Sequence, residues 1–282
     1  MYLDAHNHLH DAGLRPHLER IAGQLESLGL KAAVVNGTCE DDWPAVSSLA
    51  RHYPWVRPSY GLHPWDAGNR SPAWKDRLRQ ILEDEPGAAV GEIGIDRWMT
   101  DAARPDDARL LGLRRAPLAE QIEVFLEQFA LAKELARPAT LHCLQAWGTL
   151  DDLLKSNPAP ARGFLLHAYS GPREMVRNFV ERGAYFSFNG GFLEPRKEAV
   201  RDAFRSVPAD RLLVETDAPA MLPPTPWRTH RLPPAPNGNA LNHPGNIEAA
   251  YAGLAALRGL PVADLAAQVA TNFTRLFGAG AG

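Results

Sequence analysis

Short apolar runs alternate with longer stretches of helical period from one end of the chain to the other. Eight of the runs read as strands: residues 2–5, 32–36, 55–61, 88–93, 138–142, 163–167, 184–188 and 212–215. Between them, segments such as 14–28, 74–83, 118–136 and 172–182 carry apolar residues at the spacing of an amphipathic helix. Strands alternating with helices predict parallel βαβ units, and eight such units predict closure into a (β/α)8 barrel. No self-similarity at a period of about 20–50 residues stands out, which excludes a solenoid. Length agrees, since such a barrel takes roughly 250 residues and the chain has 282, read as one domain over 1–282.

Two segments break the rhythm. Residues 97–117 are polar, charged and irregular, and read as an insertion after the fourth strand. Residues 219–244 are rich in proline and read as a long loop after the eighth. Both leave from strand C-terminal ends, the face on which barrel active sites are built.

Ligand-type side chains gather at those same strand ends. His6 and His8 are two apart on an extended segment, so both point to one face and can bind one metal through two imidazoles. Glu92 lies among Val90, Ile93 and Ile95, where an unpaired carboxylate is costly; it is placed to bridge two cations. Asp96 follows as a group that orients a ligand. His142 and His167 close two further apolar runs and predict a second metal position. Asp217, before a residue pair ending in Pro219, can hold the first metal while accepting a proton from water. His63, after the third strand, is open to three roles: ligand, phosphate contact or proton donor to the leaving group. Trp65 beside it offers a face on which a base or sugar can stack. His10 is expected beyond the turn, near ligands or substrate, and Cys143 is expected to face the core.

Composition narrows the compartment and the partners. Charged residues make up 22% of the chain and hydrophobic residues 45%, with a formal net charge of −3, so no general field attracts nucleic acid. Local groups, Arg97, Arg228 or Arg231 with bound metal, would have to gather phosphate. The cysteines Cys39 and Cys143 are far apart and make no disulfide framework, which suits a cytoplasmic protein. No apolar run is long enough to span a membrane, and a monomer is expected.

The motifs Asp4-Ala5-His6-Asn7-His8-Leu9, Gly61-Leu62-His63-Pro64-Trp65 and Gly91-Glu92-Ile93-Gly94-Ile95-Asp96 come in that order. Leu166-His167-Ala168-Tyr169-Ser170-Gly171, Glu215-Thr216-Asp217-Ala218-Pro219 and Asn272-Phe273-Thr274-Arg275-Leu276-Phe277 follow them. Together they resemble the TatD family of metal-dependent deoxyribonucleases, a branch of the amidohydrolase superfamily, over nearly the whole chain. The resemblance implies a distorted (β/α)8 TIM barrel and a nuclease with two divalent cations, magnesium, manganese or zinc. It implies that His6, His8 and Asp217 hold one cation, His142 and His167 the other, and that Glu92 bridges. Asp217, Glu92 and His63 would be catalytic, and His63, Trp65, Tyr169 and Ser170 would meet the substrate, the end of a single DNA strand. One departure matters: His142 is followed by Cys143-Leu144-Gln145, without the arginine common in the family. That favours an alternative in which the same site hydrolyses an amide, lactone or ester, including an aminoacyl ester. A third reading, a barrel that binds metal without catalysis, is disfavoured because all six ligand positions are filled.

Overall fold

A computed structural model describes residues 1–235 and 238–279. Eight parallel strands form one sheet in sequential order. They are β1 (Tyr2–Asn7), β2 (Leu30–Asn36), β3 (Val56–Tyr60), β4 (Ala89–Asp96), β5 (Ala139–Leu144), β6 (Phe164–Leu166), β7 (Ala184–Phe188) and β8 (Leu212–Val214). Helices α1 (Leu18–Ser27), α2 (Trp43–His52) and α3 (Trp74–Asp84) connect the first four strands. Then α4 (Arg97–Asp101) and α5 (Leu118–Glu134) lie between β4 and β5. After β5 come α6 (Trp147–Ser156), α7 (Val176–Glu181) and α8 (Glu198–Ser206), one after each strand, and α9 (Ile247–Arg258) and α10 (Val262–Phe277) close the chain. The expected barrel is present, with all eight strands in the expected places.

Each strand is buried on both faces, as parallel strands covered by helices must be, and β4 is buried at every position. Fully buried rings of Phe125, Phe129, Phe164, Phe186 and Phe188 line the packing between strands and helices. Each such side chain contributes roughly 1.5–3 kcal/mol when removed from water.

Two features distort the barrel where function is expected. The β4–β5 register shifts between Val90 and Ile93, at the bulge that carries Glu92. The β1–β8 seam is closed by a side chain as well as by backbone. Asp4 accepts from the Thr216 amide (3.0 Å) and the Thr216 hydroxyl (2.5 Å), while Asp217 N–H donates to the His6 carbonyl (3.0 Å) and His8 N–H to that of Ala218 (2.8 Å).

Some boundaries differ from the sequence expectation. The 97–117 segment is not irregular throughout: it opens with α4, capped by the Asp96 carboxylate on Met99 N–H, and contains a 3-10 turn at Ala108–Leu110. The helices expected over 14–28 and 172–182 each begin with a 3-10 turn, at Arg15–His17 and Arg173–Met175.

Candidate metal centre

Six side chains from five strand ends meet around one carboxylate. Glu92, 2% exposed, turns Oε2 to His8 Nε2 (3.2 Å) and His6 Nε2 (3.3 Å). It turns Oε1 to His167 Nε2 (2.8 Å) and His142 Nδ1 (3.0 Å). Asp217 Oδ1 stands 3.6 Å from both His6 Nε2 and His8 Nε2, on the Oε2 side. The rings of His6 and His167 stack with centroids 3.9 Å apart, so the two halves of the cluster share a wall.

Local chain geometry accounts for the convergence. Gly94 sits at φ +148°, and a Cβ there would stand 1.9 Å from the His142 carbonyl, so only glycine lets β4 and β5 approach this closely. Asp217 and Ala168 adopt left-handed φ values of +51° and +44°, right after β8 and β6. Such conformations cost about 1–3 kcal/mol each and concentrate at functional sites. Here Asp217 N–H donates to the His6 carbonyl (3.0 Å), and Ala168 N–H donates to Glu215 Oε1 (2.9 Å).

Outer hydrogen bonds fix how the rings face the cluster. His8 Nδ1–H donates to the Asn36 carbonyl (2.8 Å), which leaves the Nε2 lone pair turned inward. His142 Nε2–H donates to Asp96 Oδ2 (3.2 Å), which leaves Nδ1 inward. His63 is arranged the other way. Its Nδ1 accepts from the Trp65 amide (3.2 Å), so the neutral ring carries its proton on Nε2, aimed at Glu92 Oε1 at 3.4 Å. In that tautomer His63 presents a hydrogen-bond donor to Glu92, while its ring also stands with Glu92 and His142 in a group able to hold a metal ion.

The buried carboxylates of the cluster are held ionised by the groups packed around them. Burial alone would raise Glu92; the charge of His167, the neighbouring rings of His63 and His6 and the contact with His142 hold it well below the carboxylate range. Burial opposes protonation of His142 as well, yet its bonds to Asp96 and Glu92 push it up to about 10. Burial likewise opposes protonation of His8, which Asp217 and Glu92 raise well above the ordinary histidine value. Inward lone pairs on buried imidazoles facing carboxylates are a donor set for divalent cations, which supply positive charge without protonating the ligands. The residues present fit such ions.

Residues 3–278 match the family described as TatD related DNase. The chain belongs to that family. The 3'-5' ssDNA/RNA exonuclease TatD of Klebsiella pneumoniae is 30% identical over 265 residues, 94% of this chain and 92% of that protein. The uncharacterized metal-dependent hydrolase YabD of Bacillus subtilis is 26% identical over 278 residues, 98% of this chain and 99% of its own. The crystal structure of YJJV, a TatD homolog from Escherichia coli, superposes with a TM-score of 0.83 at 27% identity, covering 99% of this chain and 98% of that one.

The remaining expected residues of this TatD-family hydrolase take different positions. Asp96, fully buried, stands behind His142 as expected, and its Oδ2 also accepts from Trp65 Nε1–H (2.6 Å). Trp65 is half-buried at the rim, its ring 5.3 Å from His63. His10 turns away to Asp42 (3.2 Å). Tyr169 requires a correction. Its ring is fully buried against Trp147, Phe179 and Phe186, and its hydroxyl donates to the Pro172 carbonyl (2.7 Å), so it supports the turn after β6 and does not meet substrate. Ser170, in the same turn, is half-buried and makes no side-chain hydrogen bond among the described residues. Cys143 is buried, as expected. Arg97 Nη2 donates to Thr149 Oγ1 (3.3 Å) on α6, while Arg228 and Arg231 line a cavity of about 140 Å³ in the 219–244 loop.

Glu215 has no role in the sequence reading. Fully buried, it accepts from the Ala168 amide, from Asn189 Nδ2 (3.1 Å) and from the Ser187 hydroxyl, and it stands 3.9 Å from His167 Nδ1. Burial pushes its carboxyl up to about 8. The available signal was a carboxylate ending an otherwise apolar run, two residues before Asp217.

Proposed function

We propose that this protein hydrolyses phosphodiester bonds at the end of a single strand of DNA or RNA, as a monomer in the cytoplasm, with two divalent cations bridged by Glu92. The observation that carries the reading is the split presentation of Glu92, with Oε2 facing His6 and His8, which gather with Asp217, and Oε1 facing His142, His167 and His63. Relatives named as 3'-5' ssDNA/RNA exonucleases support the substrate class and point to the 3′ end.

In this proposal His6, His8 and Asp217 hold one cation and His142 and His167 the other. Bound there, magnesium, manganese or zinc supplies Lewis acidity toward a phosphoryl oxygen and lowers the pKa of water. The chain's own groups do the rest. Burial would raise Asp217, but the bond from His8 and the charges of His167, His6 and His8 hold it below the usual carboxylate range, so it is ionised and accepts the proton of the attacking water. His63, with its proton on Nε2, donates to the phosphate or the departing oxygen. Burial and the charge of His142 lower its pKa, which keeps the ring neutral at pH 7. Asp96 holds the His142 ring in place.

The test is hydrolysis of end-labelled single-stranded DNA by protein stripped of metal and reloaded with magnesium, manganese or zinc. Stepwise shortening from one end is expected, and Glu92→Gln should lower it by roughly 100-fold or more. The uncharged Leu144 near His142 favours a carbonyl substrate instead. Intact DNA under every metal, together with turnover of a lactone or ester, would decide for that second reading.

A further inference from the structure

The 97–117 insertion does not lie free over the barrel mouth. Arg115 ties it down through bonds to the carbonyls of Met99 (3.4 Å), Ala103 (3.2 Å), Arg104 (2.6 Å) and Pro105 (3.2 Å), and Leu110 anchors it with a buried side chain. Held this way, the insertion lays the Arg109 guanidinium over Trp98, 4.3 Å from the ring centroid, and within 6.0 Å of Trp65. The Trp65 and Trp98 rings are themselves 6.0 Å apart and tilted by 38°. Asp107 fixes the guanidinium plane through paired bonds, Nε to Oδ1 at 2.9 Å and Nη2 to Oδ2 at 2.8 Å.

Where these three side chains stand separates them from ordinary packing. Trp43, Trp55, Trp74 and Trp147 are buried in the core, whereas Trp65 and Trp98, like Trp227 in the 219–244 loop, are half-exposed, and only Trp65 and Trp98 stand together beside the metal centre. Trp65 also donates to Asp96, the carboxylate that holds His142, so the inner edge of the aromatic surface adjoins the metal centre. Because Asp107 offsets the charge of Arg109, the surface offers flat faces more than net charge. Flat indole and guanidinium faces are what bases stack on in single-strand recognition.

We propose that Trp65, Trp98 and Arg109 form a preorganised stacking shelf for a nucleobase of the substrate strand, beside the reacting phosphodiester. The inference rests on the phosphodiesterase reading and deepens it. A base attached to the nucleotide whose phosphate lies at Glu92 is the group that reaches the shelf. Stacking accepts any base, so the shelf selects for the presence of a base and little for its identity.

Base removal tests it directly. Full-length, metal-loaded protein is titrated into fluorescein-labelled single-stranded DNA carrying terminal phosphorothioates to slow cleavage, and anisotropy reports affinity. The strands are either intact or abasic at one of the two nucleotides nearest the 3′ or the 5′ end. Wild type should bind the intact strand tighter than one of the abasic strands by about 5- to 150-fold, the range that base–aromatic stacking carries. Trp98→Ala and Arg109→Ala, each checked for an unchanged melting temperature, should weaken intact-strand binding and lose most of that preference. A preference that survives in both variants overturns the shelf. So does equal weakening on intact and abasic strands, the result expected if Arg109 held a phosphate. Cleavage of DNA with no base preference overturns the shelf alone, while neither binding nor cleavage by wild type overturns the nuclease reading with it.

Discussion

Asp96 receives three donors at once: His142 Nε2–H, Trp65 Nε1–H and the Met99 amide. Replacing it with asparagine keeps an acceptor for the helix cap but removes the charge behind His142. The new NH2 faces the His142 and Trp65 N–H donors, so Asp96→Asn should weaken metal binding by roughly 10–100-fold, measured by competition with a chelator, and also lower the melting temperature. A purely capping role would leave metal affinity unchanged. At this scale much of the site was legible, because a histidine or carboxylate that closes an apolar run is conspicuous against its neighbours. His6, His8, Glu92, His142, His167 and Asp217 all stand out this way. Tyr169 did not declare itself, since a tyrosine beside His167 reads equally as a mouth residue or as core. Only the packing against Trp147 and Phe186 assigns it to the core. Glu215 was hidden for a related reason: its partners Ser187 and Asn189 come from another strand end, and a single sequence carries no record of that pairing.

Helix α5 shows how an element, more than a residue, sets the site. Its buried face runs Gln121, Val124, Phe125, Gln128, Phe129, at the spacing of one helical stripe. The two glutamines, two turns apart, clamp the exits of two strands. Gln128 accepts from the Leu62 amide (2.7 Å) and donates to its carbonyl (3.1 Å), next to His63. Gln121 does the same for Asp96, at 2.7 Å and 3.2 Å. Gln128→Leu fills the space but strands a buried N–H and C=O, each costing about 1–3 kcal/mol. The variant should lose about 2–6 kcal/mol in urea unfolding and lose activity through a displaced His63, while metal stoichiometry is kept. The helix itself was plain from its period, but not the glutamine clamps, because a polar residue on an apolar stripe looks like an interruption. The 97–117 segment was harder still. Its order comes from Arg115 bonds and from Arg109 on Trp98, contacts between residues that no local pattern links.

At the scale of the molecule, the 219–244 loop is pinned to α1 by a histidine that tolerates only one protonation state. His243 Nδ1 accepts from the Gly245 amide (2.8 Å), so its Nε2–H donates to Gln24 Oε1 (3.0 Å). A second proton would set two donors against each other. Burial, together with the charges of His230, Arg20 and His17, lowers its pKa from 6.5 to about 4. The unfolded chain then takes up the proton first, so the contribution is whole above about pH 6.5 and is lost as pH falls toward 4, about 3 kcal/mol at most. His243→Asn keeps an acceptor for Gly245 and cannot titrate, so the gap in melting temperature between wild type and variant should narrow from pH 7 to pH 4. An unchanged gap would sink the assignment. The overall architecture was legible because eight apolar runs at barrel spacing leave few alternatives; the seam where the barrel closes was not, since it joins Asp4 to Thr216 across almost the whole chain. His6 and His8 lie on one side of that seam and Asp217 on the other. A chain still emerging from the ribosome carries His6 and His8 long before Asp217, and their half of the cluster stays incomplete until β8 has been made and docked. Assembly of the cluster is thus tied to closure of the barrel, and a product cut short before Asp217 lacks the carboxylate that faces His6 and His8.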